Sequence, residues 1–151
     1  IAREEDAKAR RASVPLDKTN LAGKRILLAE DNDLNAEIAR ELLGEEGLIV
    51  ERADNGVACV ELLEKAPAGY YDLILMDVQM PVMNGYEATG KIRKLQDKSK
   101  AQIPIIAMTA NAFDDDIEKS KAAGMDAHLA KPIEPERLFQ TLYDFIFGKE
   151  A

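Results

Sequence analysis

A chain of 151 residues, 46% hydrophobic and 32% charged, is the size of one soluble globular domain and long enough to bury a core. Its net charge of −8 argues against an intrinsic grip on a nucleic-acid backbone, and the absence of Trp against base-stacking platforms. No apolar run approaches the ~20 residues of a membrane span, and the single cysteine, Cys59, excludes an internal disulfide and suits a reducing compartment.

In chain order, the first stretch is highly charged. Residues 1–11 carry Arg3, Lys8, Arg10 and Arg11 against Glu4, Glu5 and Asp6, without an apolar face. Glu4–Lys8 and Asp6–Arg10 are spaced to pair on a helix. Residues 1–22, which include Pro15, are therefore expected to be a linker or the end of a connecting helix. The chain begins with Ile1 rather than Met, so it is read as a fragment.

From Lys24 the rhythm changes. Five short apolar runs follow: Ile26–Ala29, Leu48–Ala53, Leu73–Met76, Ile103–Met108 and Ala127–Ala130. Several are continuous rather than alternating, the pattern of strands covered on both faces. Helical spacing lies between them. Leu34, Ile38 and Leu42 repeat at four after an N-cap at Asn32 or Asp33. Val57, Val60 and Leu63 mark a second helix after the Asp54-Asn55-Gly56 turn, and Ala88, Ile92 and Leu95 a third, weakened by Gly90. Asn111 with Asp114 opens a fourth. The fifth starts at Pro135 and is expected to bury Leu138, Leu142, Phe145 and Ile146.

Five strands alternating with five helices predict an α/β, doubly wound (βα)₅ fold, a five-stranded parallel sheet with helices on both faces. Ligands in such sheets bind outside the carboxyl ends of the strands. Those ends carry Glu30-Asp31-Asn32, Asp77, Thr109-Ala110 and Lys131-Pro132. Each has an ordinary explanation alone, as helix cap, β-former or surface lysine. Three carboxylates, a hydroxyl and an ammonium at four strand ends together point to one chemistry. Clustered carboxylates repel, and a bound cation relieves them. An all-oxygen donor set of this size favours Mg²⁺. Lys131 and the Thr109 hydroxyl can each take a phosphoryl oxygen, and Asp77, fixed by the sheet, is the candidate nucleophile.

Five blocks carry a resemblance across roughly residues 23–147: Ile26 to Asn32 (ILLAEDN), Leu73 to Pro81 (LILMDVQMP), Met83 to Gly85 (MNG), Ile103 to Ala110 (IPIIAMTA) and Gly124 to Pro132 (GMDAHLAKP). In this order they resemble the receiver domain of two-component response regulators, most closely receivers fused to hybrid sensor histidine kinases. The resemblance implies a flavodoxin-like sheet of order 2-1-3-4-5, with a receiver over 23–148, a linker over 1–22 and a tail over 149–151. It implies that Asp77 accepts a phosphoryl group from a histidine kinase or histidine phosphotransfer protein. Asp31 would bind Mg²⁺ directly (Mn²⁺ substituting), with Glu30 acting through water and the Gln79 backbone carbonyl as a further ligand. Thr109 and Lys131 would contact the phosphoryl group, Ala110 would leave it room, and the Lys131–Pro132 bond would be cis. Gln79 and Asn111 would set the acyl-phosphate lifetime. His128 falls at the switch position, where the family usually has the larger and less polar Tyr or Phe.

The resemblance further implies a cytoplasmic domain, also where the parent is a membrane-anchored sensor, with no direct nucleic-acid or membrane contact. The class often dimerises weakly, and both states stay open. A stand-alone regulator and a non-phosphorylatable binding module are the alternatives. An aspartyl-phosphate phosphatase or mutase needs a second acid two residues after the nucleophile, but position 79 is Gln and the next acid is Glu87. A flavodoxin-like nucleotide binder would meet repulsion from Glu30-Asp31 where it needs phosphate-cradling amides.

Overall fold

The computed structural model describes residues 21–80, 82–110 and 114–147, leaving the side chains of 114–116 undescribed. The expected linker up to residue 20, the tail, and the Asn111 cap and lifetime assignments fall outside these residues.

The strands are β1 (Arg25–Ala29), β2 (Ile49–Ala53), β3 (Leu73–Asp77), β4 (Ile105–Thr109) and β5 (Ala127–Ala130). The helices are α1 (Asp33–Glu45), α2 (Gly56–Lys65), α3 (Gly85–Arg93), α4 (Asp114–Ala123) and α5 (Pro135–Phe147). An unnumbered helical turn, Lys98–Ala101, precedes β4. All strand pairs are parallel and the sheet order is β2-β1-β3-β4-β5, as expected.

Successive side chains of a strand face opposite ways, which gives the sheet two cores. Leu27, Ile74, Met76, Ile105 and Ala107 pack with Cys59, Val60, Leu63, Ala88 and Ile92 of α2 and α3. Ile26, Leu28, Leu75, Ile106 and Met108 pack with Ala36, Leu43, Leu138, Phe139 and Leu142 of α1 and α5. Leu21, on the linker side of the expected boundary, is fully buried in this second core.

Asparagines start the first three helices at the carboxyl edge. Asn32 accepts from Asn35 N, Asn55 from Ala58 N, and Asn84 forms a capping box with Glu87.

Several details depart from the sequence pattern. The apolar repeat of α1 does not mark its inner face: Leu34 is 67% and Ile38 48% exposed, and the buried residues are Ala36 and Leu43. Helix α3 stops at Arg93, before Leu95, because the Lys94 and Leu95 amides turn back onto Lys91 O and Ile92 O. β4 begins at Ile105 rather than Ile103: Pro104 has no amide to donate, and Ile103 N donates to Lys100 O instead. Phe145 and Ile146 are half-buried.

Gly90 lies inside α3, and a Cβ there would meet nothing within 4 Å. Gly90→Ala is therefore expected to raise stability by about 0.5–1 kcal/mol, read as a higher urea midpoint.

At the β2 edge, Tyr70 and Tyr71 each donate a 2.7 Å hydrogen bond to Glu51, one to each carboxylate oxygen. Arg25 lies 3.6 Å from that carboxylate and 4.0 Å over the Tyr70 ring. The Tyr71 hydroxyl, foremost, and Tyr70 hold the Glu51 carboxyl below its ordinary value, against the opposing effect of burial. A depressed carboxyl contributes stability that is present above its unfolded value and lost as pH falls through its folded value. Tyr71→Phe is thus expected to cost about 1.5–3 kcal/mol near neutrality. Unfolding measured from pH 7 to 3 should also show a flatter acid limb than in the unaltered protein.

Candidate functional site

The carboxyl edge gathers the charged strand ends. Glu30 follows β1 and is 2% exposed, and Asp77 ends β3 and is 4% exposed. Asp31 is exposed beside them, and carboxylate oxygens of all three lie within 4.8 Å of one another. Lys131, after β5, places Nζ 3.0 Å from Asp77 Oδ2 and 3.3 Å from Glu30 Oε1. One cation thus serves two buried anions.

The loops are held by their own backbones. Glu30 N donates to Ala53 O at 3.1 Å, Asn32 N to Glu30 Oε2 at 3.1 Å, and Gln79 N to Asp77 Oδ1 at 3.2 Å. Burial is the main push on the Glu30 carboxyl and raises it, with the charge of Asp77 adding; the Asn32 amide and Lys131 act the other way. Burial would lower Lys131, but its hydrogen bond to Asp77 and the charges of Asp77 and Glu30 outweigh this, so the ammonium lies above its ordinary value.

Of the other residues singled out, Thr109 ends β4 and is buried, one position past Met108, the strand partner of Asp77. Ala110 beside it and Gln79 after Asp77 are exposed. The Lys131–Pro132 peptide is cis. His128 is half-buried in mid-β5, opposite Ala107, and lines a surface hollow with Lys131, Glu134 and Arg137 rather than joining the acidic group.

Arg52 escaped the sequence reading. Its Nε donates to Glu30 O at 3.0 Å and its Nη1 to Asp33 Oδ1 at 2.9 Å, so it fixes the β1–α1 turn from the next strand. The available signal was a charged pair, Glu51-Arg52, inside the β2 run, with the cation one residue before its end.

Clustered acids, a lysine bridge and an open strand edge suit an all-oxygen divalent cation site. Three buried or edge carboxylates facing one ammonium leave negative charge that such an ion would balance. Among the described residues, no helix is long and apolar enough to cross a membrane.

Comparison with known proteins agrees with this geometry. The family model for the response regulator receiver domain matches residues 26–143. Probable histidine kinase 2 of Oryza sativa subsp. indica is 39% identical over 140 residues, covering 85% of this chain and 13% of that protein. The peroxide stress-activated histidine kinase mak1 of Schizosaccharomyces pombe is 40% identical over 122 residues, 79% of this chain and 7% of that protein. The chain therefore spans only a small part of these relatives. Among solved structures, the receiver domain of the Pseudomonas aeruginosa sensor histidine kinase PA1611, with magnesium in its active-site cleft, is similar at TM-score 0.75 and 39% identity, covering 84% of this chain and all of that one. A second is the receiver of Saccharomyces cerevisiae Ssk1, co-crystallised with the histidine phosphotransfer protein Ypd1, at TM-score 0.76 and 27% identity, covering 84% and 91%. Sheet order, carboxyl-edge acids and a family match across most of the chain lead to one conclusion: this chain belongs to the response regulator receiver domain family of two-component signalling.

Proposed function

We propose that Asp77 is the phospho-acceptor of this chain and takes its phosphoryl group from a phosphohistidine donor. The observation that carries this is the buried Asp77 carboxylate, 3.0 Å from Lys131 and grouped with Glu30 and Asp31 at an accessible strand edge. A carboxylate oxygen of Asp77 forms the new bond to phosphorus while the phosphorus–nitrogen bond breaks and the imidazole keeps the electron pair. Lys131 balances charge on the phosphoryl oxygens, Thr109 donates to one of them, and small Ala110 leaves space. Glu30, Asp31, Asp77 and the Gln79 carbonyl would hold Mg²⁺, or Mn²⁺ in its place. When bound, this cation supplies charge neutralisation for the transferring group. The domain is acceptor rather than kinase. Gln79 and Asn111 set how long the acyl phosphate lasts, and His128 reports it to the β5 side.

In this reading residues 23–148 form the receiver, flanked by a linker and a short tail, within a cytoplasmic part of a hybrid histidine kinase. The donor docks on the exposed stripe Leu34–Ile38. Beside that stripe lies a cavity of about 130 Å³ lined by Ile38, Leu42, Pro132, Ile133 and Leu138, next to Glu30 and Lys131.

Intact mass after incubation with acetyl phosphate tests the chemistry. A gain of one phosphoryl group with Mg²⁺ and none in a chelator is expected. No gain with Mg²⁺, and no change in the amide spectrum on adding beryllofluoride, would make the domain a binding module. For docking, Leu34→Ala should slow transfer from phosphorylated Ypd1 by about fivefold or more and leave uptake from acetyl phosphate unchanged. Equal loss with both donors would remove Leu34 from the contact.

A further inference from the structure

Val78–Met80, which carries Gln79, leaves β3 directly after Asp77, and Val82–Asn84 lead into α3; these two stretches form a turn. Its two ends meet at Gly85, whose N–H donates to Val78 O at 2.9 Å; a Cβ there would lie 2.5 Å from Asp77 O. A second glycine grips the turn from α2, a helix that contributes no side chain to the acidic group. Gly56 N donates to Met83 O at 3.2 Å. A Cβ on Gly56 would lie 2.5 Å from that oxygen, 3.1 Å from its carbon and 3.0 Å from Met83 Cγ. Backbone carbonyls cannot swing aside as side-chain ends can, so any residue with a Cβ must push the turn or the helix away.

The turn also holds a shape its own residues resist. Val82 has φ of 68°, a left-handed conformation that is a genuine outlier for a β-branched residue, and its side chain is 83% exposed. Strained backbone persists where surrounding contacts over-determine it. Here those contacts are Gly56, Gly85 and the Asn84–Glu87 capping box.

We propose that Gly56 is a positioning residue for the acidic cleft: lacking a side chain, it lets the start of α2 hold the Met83 carbonyl and so fixes the turn that presents Gln79 and orients Asp77. The Gln79 amide already donates to Asp77 Oδ1 at 3.2 Å, so a displaced turn would move both groups. This rests on the reading of the cleft as a cation-binding phospho-acceptor site.

The test is Mg²⁺ binding by calorimetry, without any phosphoryl donor, on Gly56→Ala and on Val60→Ala. Val60 faces the core from the same helix, and it is Gly56, not Val60, that holds the Met83 carbonyl, so Val60→Ala reports plain loss of packing. Both variants should be less stable to urea. Gly56→Ala should weaken Mg²⁺ binding about 10-fold or more, as loss of an outer support does, while Val60→Ala leaves it unchanged. Native-like affinity in Gly56→Ala, or equal weakening in both, overturns the proposal. If Gly56→Ala alone does not fold, it is combined with Val82→Gly, which lets the turn step aside. That protein should fold and still bind weakly; native-like affinity in it overturns the idea. An unaltered protein that neither binds Mg²⁺ nor takes up a phosphoryl group sinks the cleft reading itself, and this proposal with it.

Discussion

Asp77→Asn is expected to abolish phosphoryl uptake and, in metal-free buffer, to raise the thermal midpoint. The amide keeps the shape of the carboxylate and one oxygen to accept from Gln79 N, as Oδ1 does, but it gives up the Oδ2 that accepts from Lys131 Nζ and is no nucleophile. The stability gain follows from the charge count in the cleft. Glu30 and Asp77 are both almost fully buried, Asp31 sits alongside, and Lys131 is shared between the first two at 3.3 and 3.0 Å. Burying a carboxylate is costly unless it is fully paired. With Asn at 77, Lys131 serves Glu30 alone, and the part of the upward push on Glu30 that comes from Asp77 disappears. A gain of about 1–2 kcal/mol is expected, and thermal unfolding in a chelator checks it. Adding Mg²⁺ should narrow or reverse the order, because binding stabilises the folded state according to affinity, and the substitution removes a carboxylate proposed above as a ligand. A midpoint below that of the unaltered protein without metal would show that the Lys131–Asp77 pair stabilises more than the clustered charge destabilises.

How much of this was legible in the sequence varies with how local the cause is. The five strands and the order of elements followed from continuous apolar runs such as Leu73–Met76, because a strand covered on both faces has no polar period to obscure it. The acids and Lys131 were readable because a parallel sheet places strand ends side by side whatever the loops do. The face of α1 was not. Leu34 and Ile38 repeat at helical spacing, and periodicity alone cannot tell an inward stripe from one left outside for a partner; Ala36 and Leu43 carry the burial instead. Arg52, Gly56 and Arg93 act on backbone atoms of chain segments distant in sequence. Contacts to backbone leave no complementary residue type to find, so each reads alone as a solvated cation or a turn glycine.

Arg93→Ala is expected to produce the largest loss of stability of any single change here, with little effect on the cleft. Arg93 is the last residue of α3, a position where a cation usually needs no partner beyond the helix end. Its guanidinium instead spans three separate segments. Nε donates to Gly124 O at 2.9 Å, and Nη1 to Ala101 O and Ile103 O at 2.7 Å each. Nη2 donates to Asp126 Oδ2 at 2.9 Å, an oxygen that also accepts from Ile105 N at 2.8 Å. These bonds tie the end of α3 to the helical turn, the entry to β4 and the link from α4 to β5. Truncation leaves three carbonyls and a carboxylate without this donor, and about 3–4 kcal/mol is expected to be lost, as the sum of four hydrogen bonds worth about 1 kcal/mol each. Arg93→Lys should recover less than half, because an ammonium donates from one point and cannot span acceptors that a planar fork reaches. Urea unfolding of both variants checks this; full rescue by Lys would mean that charge, not the fork, holds the segments. The acceptors lie at the amino ends of β4 and β5, whereas Asp77 and Lys131 lie at the carboxyl edge, a strand of five residues or about 16 Å away. Mg²⁺ affinity in folded Arg93→Ala should therefore match the unaltered protein. The same separation makes Gly56→Ala informative, since it acts at the carboxyl edge and Arg93 braces the other.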